Sequence, residues 1–212
     1  MPAERETDVA LRDGATLRAR PIRPDDKGAL ASGFERMSPT SRYRRFFAPL
    51  RRLTDEDLAY LTEIDHRDHE AVIGFESGSG EPVGVARFIR GAEPTEAEVA
   101  VTVVDDWQGR GVATALLERL VVRAREEGIE HFVALVLPDN PDALDIFRHL
   151  TPDGTVERRS SSGLVEFLIE LPETPGPGQL PRESSLAQAL RGAATHALEI
   201  NPWRLIRERM PR

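Results

Sequence analysis

Glu98-Val-Ala-Val-Thr-Val-Val104 runs through Asp105-Asp106-Trp107 into Gln108-Gly109-Arg110-Gly111-Val112-Ala113-Thr114, and this passage from a valine run into a glycine turn decides the fold. A nearly continuous apolar run of this length reads as a central strand covered on both faces. After the turn, Val112, Leu116, Leu120 and Ala124 recur every four residues and mark one face of a helix over Gly111 to Glu127. Gly128 supplies a left-handed stop. His131 to Leu137 is a second valine-rich strand, so residues 98 to 137 form a strand, helix, strand crossover with its two strands parallel.

Upstream, residues 82 to 90 and 70 to 76 read as two further strands, joined by Ser77-Gly78-Ser79-Gly80 and followed by Gly91-Ala92-Glu93-Pro94. Residues 15 to 22 alternate as a strand, and residues 26 to 36 follow as a helix with Leu30 and Phe34 on one face. Residues 40 to 47 read as a short helical turn with Phe46 and Phe47 inward, and Thr54 opens a helix with Leu58, Leu61 and Ile64 as its apolar stripe. Downstream, residues 140 to 150 form a helix, and residues 155 to 159 and 163 to 171 a hairpin around Ser160-Ser161-Ser162. The expectation is an α/β fold: a mixed sheet of about seven strands with four flanking helices over residues 1–172. A Pro/Gly linker at 173–182 and a helical C-terminal extension at 183–212 follow it.

Composition narrows the chemistry. The chain has 212 residues, 40% hydrophobic and 30% charged, with 36 acidic against 28 basic side chains and a net charge of -8. That balance does not favour a nonspecific grip on nucleic acid or on an anionic membrane. The basic cluster Arg42, Arg44, Arg45, Arg51 and Arg52 is either a solvated helix face or a place where an anionic ligand is met. With no cysteine, thiolate metal sites, disulfides and a cysteine nucleophile are excluded. No apolar run approaches a membrane span and the N-terminus lacks the apolar core of a signal peptide, so a cytoplasmic location is expected.

A glycine turn between a buried strand and a helix is a general anion site, because the unpaired N–H groups of the first helical turn point outward. The spacing of residues 108 to 114 fits neither the dinucleotide-binding nor the phosphate-loop pattern. Gln108, Gly111 and Ala113 instead match the Gln/Arg-x-x-Gly-x-Gly/Ala signature, and the chain resembles the GCN5-related N-acetyltransferases (GNAT). The resemblance implies acetyl-coenzyme A as cosubstrate, its pyrophosphate held by backbone N–H groups of Gly109, Arg110, Gly111, Val112, Ala113 and Thr114. It implies that the thioester carbonyl is polarised by an N–H near Val103 or Val104, where the family splays its two central strands. Asn140 stands where the family places a residue on the pantetheine arm, although it equally caps its own helix. Phe147 lies on that helix beside the coenzyme, in the slot where many members carry the tyrosine acid.

Acetyl transfer to an amine needs a base, and Glu98, ten residues before Gln108, is the candidate; in a relatively dry site a carboxylate becomes more basic. The competing reading is an exposed strand-end glutamate like Glu96. Arg20 to Asp26 and Met37 to Phe47 resemble the start of the acetyltransferase domain of bacterial Pat-type protein lysine acetyltransferases, in which a glutamate at this position is the base. Two departures stand out: Leu150-Thr151-Pro152 replaces the usual Leu-Gly-Phe, and no nucleotide-binding partner domain accompanies the domain, so cyclic-nucleotide control is not implied. The expected partners are thus acetyl-coenzyme A and an amine acceptor, a protein lysine or a small molecule, with a homodimer left open. No metal is expected: the run Asp65-His66-Arg67-Asp68-His69-Glu70 lacks helical ligand spacing. Substrate-side residues are expected near residues 37 to 47 and in the closing hairpin, and Trp107 either packs beside the turn or borders the coenzyme.

Overall fold

The computed structural model describes residues 6–11, 13–46, 48–138, 155–159 and 164–171, the backbone alone for 155–159. Among the described residues eight strands form one sheet: β1 (Thr7–Ala10), β2 (Thr16–Pro21), β3 (His69–Glu76), β4 (Pro82–Arg90), β5 (Glu96–Val103), β6 (His131–Val136), β7 (Thr155–Arg159) and β8 (Val165–Glu170). Their order is β1-β2-β3-β4-β5-β6-β8-β7. Of these eight strands only β5 and β6 run parallel; the other neighbours are antiparallel. The mixed sheet expected from sequence is present with one strand more. The addition is β1, a short, mostly exposed edge strand with no apolar alternation to announce it.

Four helices flank the sheet among the described residues: α1 (Lys27–Glu35), α2 (Pro39–Phe46), α3 (Asp55–Thr62) and α4 (Val112–Glu126). The expected turn at 40 to 47 is thus a true helix with Phe46 buried. Thr54 opens α3 through a capping box, accepting from the Asp57 N–H while the Asp57 carboxylate accepts from the Thr54 N–H. The helix expected at 140–150, with Asn140 and Phe147, lies outside the described residues, as do Phe47 and the 183–212 extension.

Strand alternation assigns the two faces. Val99, Val101 and Val103 turn toward α4 and join Val112, Leu116 and Leu120 in the main core. Gly84 makes that packing close. A Cβ there would lie 2.8 Å from the Thr102 carbonyl oxygen and 3.2 Å from the Leu116 and Val112 side chains, so α4 rests almost directly on the β4 backbone. The C-terminal end of α4 is anchored by Arg123. Its Nε donates to the fully buried Glu70 carboxylate at 3.0 Å and its Nη2 to the His66 carbonyl at 3.0 Å.

The opposite face carries α1, α2 and α3, and Arg87 is among the charged residues buried there. Arg87, 1% exposed, points its Nη1 at His69 Nε2 (2.8 Å) and donates through Nη2 to the Leu61 carbonyl of α3 (3.2 Å). A guanidinium only donates, so Nε2 of His69 accepts and the ring is neutral with its proton on Nδ1. Burial, and then the charge of Arg87, push the His69 pKa down to about 3 from its ordinary 6.5.

Because the folded ring refuses a proton that the unfolded chain accepts, stability is complete above about pH 6.5 and falls as the pH drops toward 3. This group alone costs about 2 kcal/mol between pH 7 and pH 5. His69→Gln keeps an acceptor for Arg87 and does not titrate, so urea denaturation at the two pH values should show a correspondingly smaller loss in the variant. Equal losses in both proteins contradict the assignment.

Candidate active site

The parallel ladder between β5 and β6 holds only three registers, Glu96↔His131, Ala97↔Phe132 and Glu98↔Val133. Past Glu98 the strands separate. Each stays paired on its other side, β5 with β4 as far as Gly84↔Val103 and β6 with β8 as far as Val136↔Val165. A wedge therefore opens between two strands of the central sheet, with Glu98 at its apex. Along its β5 edge every second residue turns its N–H and C=O into the wedge. The Val104 N–H is not among them, because it donates to the Val83 carbonyl of the neighbouring segment (3.0 Å). Val103 has the other parity, and its carbonyl accepts from Gln108 Nε2 (3.2 Å). The glutamine of the signature thus fastens the glycine turn to the end of β5.

The turn stands at the wide end of the wedge. Asp105–Trp107 form one turn of 3-10 helix; Gly109 (φ 72°) and Gly111 (φ 96°) then take left-handed conformations. A Cβ is disfavoured at both positions. Gly111 is the N-cap of α4 and offers no side-chain acceptor, so the N–H groups of Val112, Ala113 and Thr114 receive no cap from it. Fifteen residues of α4 place the positive end of the helix dipole at the same spot. Arg110 does not reach into the wedge as a loose cation. Its guanidinium stacks 3.7 Å above the Trp107 ring and pairs with Asp13, on the turn between β1 and β2. The Asp13 carboxyl is held below the usual carboxylate range, first by the Ala15 N–H and then by Arg110.

Glu98 is 8% exposed, so it is no exposed strand-end residue. It shares the α1–α3 face of β5 with Ala100 and Thr102, and from Glu98 to Val103 the strand covers about 17 Å.

A groove enclosing about 520 Å³, open solvent at its mouth included, lies on the same face of the sheet. Its walls include Leu30 and Phe34 of α1 and Leu61 of α3, and its polar side chains are Arg45, Arg87 and Thr102. Arg45 of α2 points inward and donates from Nε to Thr102 Oγ1 (2.6 Å). From the segment 37 to 47, expected on the substrate side, Met37, Arg45 and Phe46 line the groove. The turn of the closing hairpin lies outside the described residues. Sequence reading passed over Arg87 and Thr102, although an arginine at an inward position of the apolar segment 82–90 was a visible signal. Asp105 was missed as well: its carboxylate accepts from the Ser38 N–H (3.3 Å) and ties the α1–α2 connection to the glycine turn.

The basic cluster at 42–52 does not form one patch. Arg42 donates to the carbonyls of Phe34, Glu35 and Arg51, Arg45 is buried, and Arg51 and Arg52 are exposed. In the run 65–70, Asp65 Oδ1 accepts from three backbone N–H groups, while His66 faces Glu70 and His69 faces Arg87.

Comparison with known proteins agrees with this geometry. Residues 38–150 match the acetyltransferase (GNAT) family. The acetyltransferase Pat of Mycolicibacterium smegmatis is 36% identical over 186 residues, covering 87% of this chain and 54% of the relative, so the chain spans about half the length of that protein. Acetyltransferase PA5475 of Pseudomonas aeruginosa is 30% identical over 128 residues, 59% of this chain and 69% of the relative. Among solved structures, the GNAT domain of S. lividans PAT superposes with a TM-score of 0.71 at 40% identity, over 81% of this chain and 99% of that one. The splayed central strands, the glycine turn and these likenesses converge: the chain belongs to the GNAT family of acetyltransferases.

Proposed function

We propose that this chain transfers the acetyl group of acetyl-coenzyme A directly to a primary amine, with Glu98 as the general base. The observation that carries the reading is the buried glutamate at the apex of a wedge whose wide end is a glycine turn. The turn residues Gly109 to Thr114 offer backbone N–H groups to the pyrophosphate, and the pantetheine arm completes the strand edge of β5. The Val103 N–H, on the wedge side by strand parity, is the backbone donor in the region where the thioester carbonyl is to be polarised.

In the reaction Glu98 takes a proton from the ammonium form of the acceptor, the neutral nitrogen attacks the thioester carbon, and the C–N bond forms. The C–S bond then breaks, the thiolate leaves and takes a proton from water, and the nitrogen sheds its second proton. Phe147 cannot serve as the acid, and Asn140 is assigned to the pantetheine arm. A protein lysine is the acceptor that likeness to the Pat proteins supports, and a small amine is the other.

Supplying acetyl-coenzyme A with a panel of protein and small-molecule amines, and following thiol release, tests the reading. Binding of the coenzyme without turnover of any amine would make the chain a non-catalytic acyl-coenzyme A sensor instead. Glu98→Gln should lower kcat at neutral pH by about 100-fold or more while the Kd for coenzyme A stays within about twofold; undiminished turnover removes Glu98 from the base role. Gly111→Ala should act on the other end. Its positive φ costs an L-residue roughly 1–2 kcal/mol, so coenzyme affinity measured by calorimetry should fall about tenfold. Unchanged affinity would place the pyrophosphate elsewhere.

A further inference from the structure

The connection between α1 and α2 is fastened to the glycine-turn end of β5 by a side chain that the reaction scheme does not use. Asp105 opens the 3-10 turn that precedes the glycines, and its carbonyl accepts from the Gln108 N–H (3.2 Å). Its carboxylate leaves that segment and crosses to α2, where Oδ2 accepts from the Ser38 N–H (3.3 Å). Ser38 stands just before the first residue of α2 and caps it: its Oγ accepts from the Ser41 N–H (3.1 Å) and its carbonyl from the Arg42 N–H (2.9 Å). In the last turn of α2, Arg45 donates to Thr102 Oγ1 (2.6 Å). Both ends of α2 are thus joined to the stretch of chain that flanks Val103 and Val104.

Packing gives these bonds their weight. Phe34, Met37 and Phe46 form a small buried cluster with Leu50 and Leu53 packed against it, separate from the main core beneath α4. A segment with a cluster of its own shifts as a unit more easily than one built into the main core. Its tie to Asp105 is also incomplete. At 3.3 Å the bond is long, and the second carboxylate oxygen, Oδ1, is buried with no hydrogen-bond partner among the described residues. A buried acceptor without a donor is costly, so an adjustment that draws Asp105 and the cap of α2 together lowers that cost. The turn is where such an adjustment originates, because Gln108 holds it to the Asp105 and Val103 carbonyls.

We propose that Asp105 is a positioning residue: it sets the N-terminus of α2, and with it the groove wall of Met37, Arg45 and Phe46, according to whether the glycine turn is occupied. Coenzyme at the turn and an ordered groove wall then favour one another, and the coupling is reciprocal. This inference rests on the acetyltransferase reading above in taking coenzyme A as the occupant of the turn.

Amide hydrogen exchange with coenzyme A as the probe tests this without an acceptor. In the unmodified protein, saturating coenzyme A should slow exchange about fivefold or more at residues 38–42 as well as at the turn, residues 109–114. In Asp105→Ala the slowing at the turn should remain, while that at residues 38–42 should shrink to about twofold or less. Asp105→Asn keeps an oxygen for the Ser38 N–H and should retain most of the effect. Slowing at the turn with none at residues 38–42 in the unmodified protein overturns the coupling and leaves the coenzyme site intact; that comparison stands even if the variants do not fold. Full slowing at residues 38–42 in Asp105→Ala overturns the role of Asp105. Equal loss in both variants overturns it too, because the hydrogen bond to Ser38 is then not the route. No binding of coenzyme A to the unmodified protein removes the acetyltransferase reading and this inference together.

Discussion

Three registers of parallel pairing, and no more, separate this sheet from an ordinary one. Inside a sheet the N–H and C=O groups of a strand are paired on both sides, and buried groups left alone are costly. Beyond Glu98 the inner edge of β5 gives up that pairing, as does the facing edge of β6, at the centre of the molecule rather than at its rim. The two halves hold the gap open. β4 grips β5 through seven registers and β8 grips β6 through six, so neither strand is free to swing back. In the proposed reading an extended chain with amide groups of its own is the guest of this edge, and the helix N-terminus at its wide end meets the guest's phosphates. The groove on the α1–α3 face reaches β5 at Thr102, nearer the wide end of the gap.

What the residues announced in advance, and what they did not, divides along a physical line. Periodicity reports which side chains face the core, and it located β5, β6, the two faces of α4 and the glycine turn to within a residue or two. It is blind to backbone separation, so the splay of β5 from β6 was available only through resemblance to a family. It also cannot register a strand that lies mostly in solvent, which is why β1 went unread: Thr7–Ala10 pairs with β2 because an edge is available there, not because its side chains demand burial. Glu98 was placed correctly in the chain, but its burial comes from the three-dimensional arrangement around the strand. The arginines at 42–52 show the same limit, since five neighbours in sequence are sent to solvent, to helix-end carbonyls and into the groove.

Two buried arginines show how differently a fold can treat the same side chain. Arg123 meets Glu70, Glu126 and Glu127 and donates to the His66 carbonyl, so its charge is answered within the protein and fixes the end of α4. Arg87, on the other face, meets only neutral groups. The first is an anchor. The second is held by neutral acceptors alone and ties β4 to β3 and to the end of α3, at the cost of burying its charge.

The turn at the head of α4 treats charge in yet another way. Arg110 is already committed to the Trp107 ring and to the Asp13 carboxylate before any anion arrives, so the formal positive charge nearest the turn is largely spent. Attraction there falls to fixed backbone dipoles, whose reach is short and whose direction is set by the left-handed glycines. As the proposed pyrophosphate site, the turn recognises the shape of its anion at contact rather than drawing it in from a distance, and mobile salt has little long-range field to screen. Ionic strength that would dissolve a lysine-based phosphate grip leaves a dipole-based one nearly as it was.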